Sequence, residues 1–172
     1  MANTYTLIAS NTLSSSAASV TFSSIPATYT DLVLKMSVRT DNAVISSFIN
    51  LEFNNVGGTS YSRTLLRGSG SAASSNRNSL QSEISLQTAG SGASSTSNTF
   101  SNTEVYIPSY LVSQNKPLSA TSGAENNATE AYVTTFAGLW TNTNAITQIK
   151  ITANGENFVS GSSFFLYGIK NS

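Results

Sequence analysis

The sequence predicts an all-β fold, an antiparallel β-sandwich with a jelly roll as the expected version, and three observations lead to it. Residues 31–40 alternate strictly, with Leu32, Leu34, Met36 and Val38 on one side and Val33, Lys35, Ser37 and Arg39 on the other, which is the period of a strand with one buried face. Similar short apolar runs recur along the whole chain, separated by clusters of Gly, Ser, Asn and Pro. No segment carries the 3.6-residue apolar spacing of a helix; residues 123–129, the best short candidate, hold two adjacent asparagines and too few apolar positions for more than a turn.

Taken in order, strands are expected near residues 5–10, 19–23, 31–40 and 47–54, the last with Ile49, Leu51 and Phe53 on one face. Further strands are expected at 60–67, 79–87, 99–107, 131–140, 147–153 and 163–169, about ten in all. Asn154-Gly155 has the chemistry of a type I′ turn and is expected to fix the register of a final hairpin. Residues 68–78 and 88–98 are rich in Ser and Gly and are expected to be mobile surface loops, the alternative being contact arms that order against a partner. If 79–87 is one strand, they lie roughly 25–30 Å apart at opposite ends of the sandwich.

A chain of 172 residues is expected to form one domain, 1–172, that buries roughly 70% of its unfolded surface without a metal or disulfide. Ser, Thr and Asn together supply 71 residues, whereas charged residues make up 9% of the chain against a usual ~25%. Solubility therefore rests on hydroxyls and amides, and little charge stands between neighbouring copies, which favours self-association. Eight basic residues balance eight acidic ones without forming a block, so neither a nucleic acid nor an anionic membrane is an expected partner. The first ten residues lack a basic and apolar leader pattern, and no run approaches a membrane span; the chain reads as made in the cytosol without a leader. Asn127-Ala128-Thr129 matches a glycosylation sequon and is read as coincidence.

The chain has no histidine and no cysteine, and its aspartates are Asp31 and Asp41 alone. A Ser/His/Asp triad is thereby ruled out. Ser113-Gln114-Asn115-Lys116 matches the Ser-x-x-Lys pattern of penicillin-interacting enzymes, but its companion motifs are missing and Pro117 follows at once. Glu125 and Glu130 form a local carboxylate pair in a Gly- and Asn-rich segment where nothing raises one pKa. Calcium would need clustered carboxylates, whereas Asp31 and Asp41 flank opposite ends of one strand. No catalytic residue, metal or cofactor is expected. Trp140, followed by Thr141-Asn142-Thr143-Asn144, could serve a carbohydrate platform, but it continues the parity of Tyr132, Thr134 and Phe136 and is read as core. Tyr110, Leu111 and Val112 are three consecutive apolar side chains in a segment closed by Pro117. They are expected either to cap the open end of the sandwich or to dock on another chain, and they are the favoured short segment for a protein contact.

Several segments carry a family resemblance. They are Thr21-Phe22-Ser23-Ser24-Ile25-Pro26-Ala27-Thr28-Tyr29-Thr30-Asp31-Leu32, the stretch from Asn98-Thr99-Phe100 through Tyr106-Ile107-Pro108, the loop Gly123-Ala124-Glu125-Asn126-Asn127-Ala128-Thr129, Ala137-Gly138-Leu139-Trp140, and the ending Leu166-Tyr167-Gly168-Ile169-Lys170. In these the chain resembles small structural proteins of tailed bacteriophages, particularly those of aquatic bacteria and cyanobacteria. The resemblance implies a virion protein with a β-sandwich fold, used as capsid decoration or as a tail-fibre component, and carries no functional residue over. The expectation is a capsid decoration (cement) protein on the outer shell, a homo-oligomer and by preference a trimer, bound to the major capsid protein. The alternative is a tail adaptor or receptor-binding, lectin-like module, the one reading in which a glycan partner enters. A carbohydrate-binding module outside any virus has only the Trp140 signal behind it.

Overall fold

The protein's computed structural model describes residues 4–127 and 130–170. Among them twelve strands and no helix occur. In chain order these are β1 (Tyr5–Thr12), β2 (Ser19–Phe22), β3 (Asp31–Ser37), β4 (Ser46–Phe53), β5 (Tyr61–Gly68) and β6 (Ala73–Gln81). They continue with β7 (Ile84–Ser91), β8 (Asn102–Ile107), β9 (Lys116–Ala124), β10 (Tyr132–Trp140), β11 (Ile149–Thr152) and β12 (Ser163–Ile169). An eight-stranded sheet runs β1-β12-β3-β8-β9-β10-β5-β6, and a four-stranded sheet runs β2-β11-β4-β7, with every ladder antiparallel. The all-β sandwich expected from the alternation in β3 is the fold.

The core forms where the inner faces of the two sheets meet, with Leu32, Leu34, Met36, Ile49, Leu51, Ile84, Leu86, Val105, Ile149, Ile151, Phe164 and Leu166 among its buried members. Phe53, Tyr61 and Trp140 form one aromatic cluster that joins β4 to β5 and β10; Trp140 stacks on Tyr61 with ring centroids 6.1 Å apart and meets Phe53 edge-on at 5.6 Å. Such contacts add to the area term and fix where the two sheets touch. Tyr29 lies flat on Gly168 of β12, where a Cβ would sit 2.3 Å from the ring carbon Cγ. A glycine there is a steric requirement.

Four sequence expectations need correction. Residues 79–87 are not one strand: β6 ends at Gln81 in the larger sheet and β7 starts at Ile84 in the smaller one, with Leu80 in the left-handed region at φ 56°. Residues 68–78 are accordingly not a mobile loop but the β5–β6 turn and most of β6, so the estimated separation of the two Ser-rich stretches falls with the strand on which it rested. Residues 88–98 supply the second half of β7 and then a segment gripped by Arg39, whose guanidinium donates to the carbonyls of Thr96 (2.9 Å), Thr99 (3.0 Å), Ala93 (3.0 Å) and Ser95 (3.1 Å). The Asn154-Gly155 turn does form, with both φ values positive and Ala153 bridging Glu156, but β11 and β12 lie in different sheets and the turn closes no hairpin between them. Residues 123–127 begin in β9, and Ala128 and Thr129, with the sequon they complete, lie outside the described residues.

Tyr61 gives the fold a pH signature. Its hydroxyl accepts from the Phe53 N–H at 2.9 Å and lies 3.3 Å from the Val56 carbonyl, and burial pushes its pKa up to about 12. A phenol with a raised pKa in the folded state favours folding below its ordinary value near 10 and loses that contribution as pH rises through the folded value. Tyr61→Phe is therefore expected to flatten the fall in stability between those two pH values, measured by urea unfolding at each pH. Equal slopes for the two proteins would overturn this assignment.

Candidate interaction surface

Polar side chains at strand ends are largely engaged in holding loops. Asp31, 5% exposed at the start of β3, accepts from the Ser109 N–H at 2.8 Å and the Tyr106 hydroxyl at 2.9 Å. Asp41, beyond the other end of β3, accepts from the Asn157 backbone N–H and side-chain amide, both at 2.8 Å, and these bonds hold its carboxyl below the usual range. Asn54 accepts from the backbone N–H groups of Thr147 and Gln148 and donates to the Ala145 carbonyl. The two aspartates bind separate loops, as their positions on one strand require.

Residues 109–116 cap one end of the sandwich. Tyr110 is fully buried, its hydroxyl donating to the Pro26 carbonyl, and its own carbonyl accepts from the Ile146 N–H. Leu111 is partly buried and packs against the core, whereas Val112 is 50% exposed. Of the three residues picked out for a protein contact, Tyr110 is part of the core, Leu111 belongs mostly to the cap, and Val112 presents its side chain outward. Lys116 is also fully buried, and its ammonium donates to the carbonyls of Val112 (2.7 Å), Gln114 (2.5 Å) and Thr143 (3.3 Å). The Ser113-x-x-Lys116 pattern thus places its lysine on backbone oxygens.

Glu125 accepts from the N–H groups of Asn126 and Asn127, and Glu130 accepts from the Tyr132 hydroxyl, so each carboxylate is tied to its own stretch of chain. Trp140 is wholly buried, which removes the carbohydrate platform suggested by its polar neighbours. Among the described residues no three His, Cys, Asp or Glu side chains gather as metal ligands would.

What remains open is a surface. On the outer face of the larger sheet, Phe165, Lys35, Glu104, Thr121, Thr135, Leu66 and Ser75 line up across seven strands. The Lys35–Glu104 ion pair, 2.9 Å, sits in this row and is solvent-exposed. Towards β6 the face turns apolar: Leu66 is 55% and Val133 62% exposed, bordering a shallow depression of about 250 Å³ with Ala73, Thr121 and Thr135.

The β5–β6 pair forms a wing at the margin of this sheet. β6 is the last strand, pairs with β5 alone, and has eight of nine residues exposed, Asn78 being the exception. Together β5 and β6 carry Arg63, Arg67 and Arg77 and no carboxylate, although the chain as a whole is neutral. Arg67 reaches Ser74 at 3.4 Å and lies 5.0 Å from the Tyr132 ring centroid. Arg63 is only 3% exposed; its Nη1 donates to Asn76 Oδ1 at 3.3 Å, while Nε and Nη2 meet no acceptor among the described residues. Burial lowers the pKa of this guanidinium. Arg63 and Arg67 share the inner face of β5, whereas Arg77, paired with Thr64, lies on the outer face of the hairpin.

No protein-family model matches the chain, and no curated protein matches it. Among solved structures the chain is similar to a chain in "Structure of infectious bursal disease virus Gx strain", with 10% identity and a TM-score of 0.11, covering 95% of this chain and 39% of that one. A likeness at that level supports no conclusion about fold or function.

Proposed function

We propose that this is a virion structural protein, a decoration protein on the outer capsid shell of a tailed bacteriophage that assembles as a homo-oligomer, by preference a trimer. The observation that carries the reading is the strand order. Removing β5-β6 and β9-β10 leaves two four-stranded sheets, β1-β12-β3-β8 and β2-β11-β4-β7, between which the chain passes back and forth. We read this connectivity as a jelly roll, an architecture used in viral capsid and lectin domains, with two inserted strand pairs that widen one sheet. Fold-level likeness and the resemblance of the sequence segments are the support for a shell protein; the weakly charged outer face suits packing against neighbouring subunits.

Abundance and place test the reading. Quantitative mass spectrometry of purified virions is expected to find copies comparable in number to the major capsid protein, and imaging is expected to locate them at symmetry-related positions on the shell. A few copies confined to the tail would replace this function with the receptor-binding or adaptor role, and absence from virions would remove both.

A further inference from the structure

We infer that the β5–β6 wing is a docking site for an extended, carboxylate-bearing segment of a different protein, which adds as a strand along the open edge of β6. Three observations converge on it. The edge is free: among the described residues β6 has β5 on one side and no strand on the other, and its ladder is regular over residues 73–78 before a bulge near Leu80. Edge strands are ordinarily protected by brevity, charge or a cover. Here most side chains are Ser, Asn or Ala, small enough for a further strand to approach at the usual spacing of ~4.8 Å.

The second observation is charge. Neither strand of the hairpin carries an acidic residue, while Arg63 and Arg67 on the inner face and Arg77 on the outer face make it net positive on a neutral protein, with Glu125 bordering only its end at residues 68–70. The third is Arg63, almost wholly buried beneath the wing with two nitrogens lacking acceptors. A guanidinium has five donors arranged for a carboxylate, and a buried one left with a single amide oxygen is costly. A glutamate on an added strand supplies the acceptor, while its backbone pairs with β6. Strand addition of this kind takes affinity from the main chain and selectivity from alternate side chains.

The charge argument also excludes a second copy as the occupant. The strands at sheet margins in this chain, β1, β2, β6 and β7, contain no Asp or Glu, and β6 laid against β6 would bring Arg77 towards its own counterpart. The inference stands apart from the shell reading, because it concerns the wing whatever the particle.

The test uses the intact protein and synthetic peptides of about ten residues, enough to span one strand, alternating threonine with glutamate, glutamine or lysine. The glutamate peptide is expected to shift amide resonances of β6 and its β5 neighbours, to bind roughly tenfold or more tightly than the glutamine peptide, and to weaken with salt. The lysine peptide is expected not to bind. Arg63→Met is expected to cut glutamate-peptide affinity by roughly tenfold while the protein stays folded. Equal binding of the glutamate and glutamine peptides, resonance shifts away from β5 and β6, or no binding of the glutamate peptide at millimolar concentration would each overturn the inference; the peptide comparison needs no variant to fold.

Discussion

Lys116→Met is expected to lower the stability of this protein by about 2 kcal/mol. The ammonium of Lys116 has three donors and places all of them on carbonyls, of Val112, Gln114 and Thr143, from inside the cap. Burial pushes its pKa down, so desolvation offsets part of what those charge-assisted bonds contribute. Methionine fills the space of the aliphatic stem and removes the donors, which keeps the opening of a cavity small beside the loss of the bonds. The carbonyls are left without their acceptor role in a region closed by Tyr110 and Ile146, both fully buried. Urea unfolding measures the change, and amide exchange in residues 110–116 should accelerate more than elsewhere. A loss below about 0.5 kcal/mol would mean that the cap carbonyls rehydrate freely and that Lys116 is not what holds it.

The parts of this architecture legible in the sequence were those in which hydropathy alternates. β3 and β10 read directly, because Leu32, Leu34 and Met36 recur at every second position on a buried face of the one and Phe136 and Trp140 share one parity of the other. β9 did not. Its inward residues are Lys116, Leu118, Ala120, Ser122 and Ala124, a series that no hydropathy rule distinguishes from a loop, and it contains Pro117. It is nevertheless a central strand. Ser122 satisfies its hydroxyl by accepting from Thr103 at 2.9 Å, and Pro117 is tolerated because β8 pairs only with residues 119–123, leaving β9 one neighbour at that point. No strand is assigned there from sequence because packing and hydrogen bonding supply what local propensity lacks.

β6 failed for a different reason. Its sequence, Ala-Ser-Ser-Asn-Arg-Asn-Ser-Leu-Gln, buries no apolar side chain at all, so nothing but pairing with β5 makes it a strand. The turn that separates it from β7 has no Gly or Pro to announce it. The wing was consequently invisible in the sequence, whereas the segment that was visible, Tyr110-Leu111-Val112, stood out for being apolar and largely belongs to the cap. Apolar residues mark burial readily; an exposed edge whose chemistry lies in backbone groups and scattered arginines leaves no local signal.

Arg63→Met is expected to have the opposite sign to Lys116→Met and to stabilise the protein by about 1–2 kcal/mol. The two cations are alike in being buried and in having their pKa lowered by that burial. They differ in partners. Lys116 satisfies three donors, while Arg63 satisfies Nη1 with Asn76 Oδ1 at a long 3.3 Å and leaves Nε and Nη2 without acceptors. Desolvation of the guanidinium is thus offset by one long bond alone, and methionine, which follows the arginine stem as far as Nε beside Tyr61 and Leu65 on the inner face of β5, removes that cost. Asn76 loses a weak bond but sits on an exposed strand where its amide can meet water. Chemical denaturation with an unchanged m value measures the gain, and a destabilisation of about 1 kcal/mol or more would show that Arg63 is satisfied in the free protein. A variant that is both more stable and poorer at capturing the glutamate peptide would separate stability from capture in one side chain.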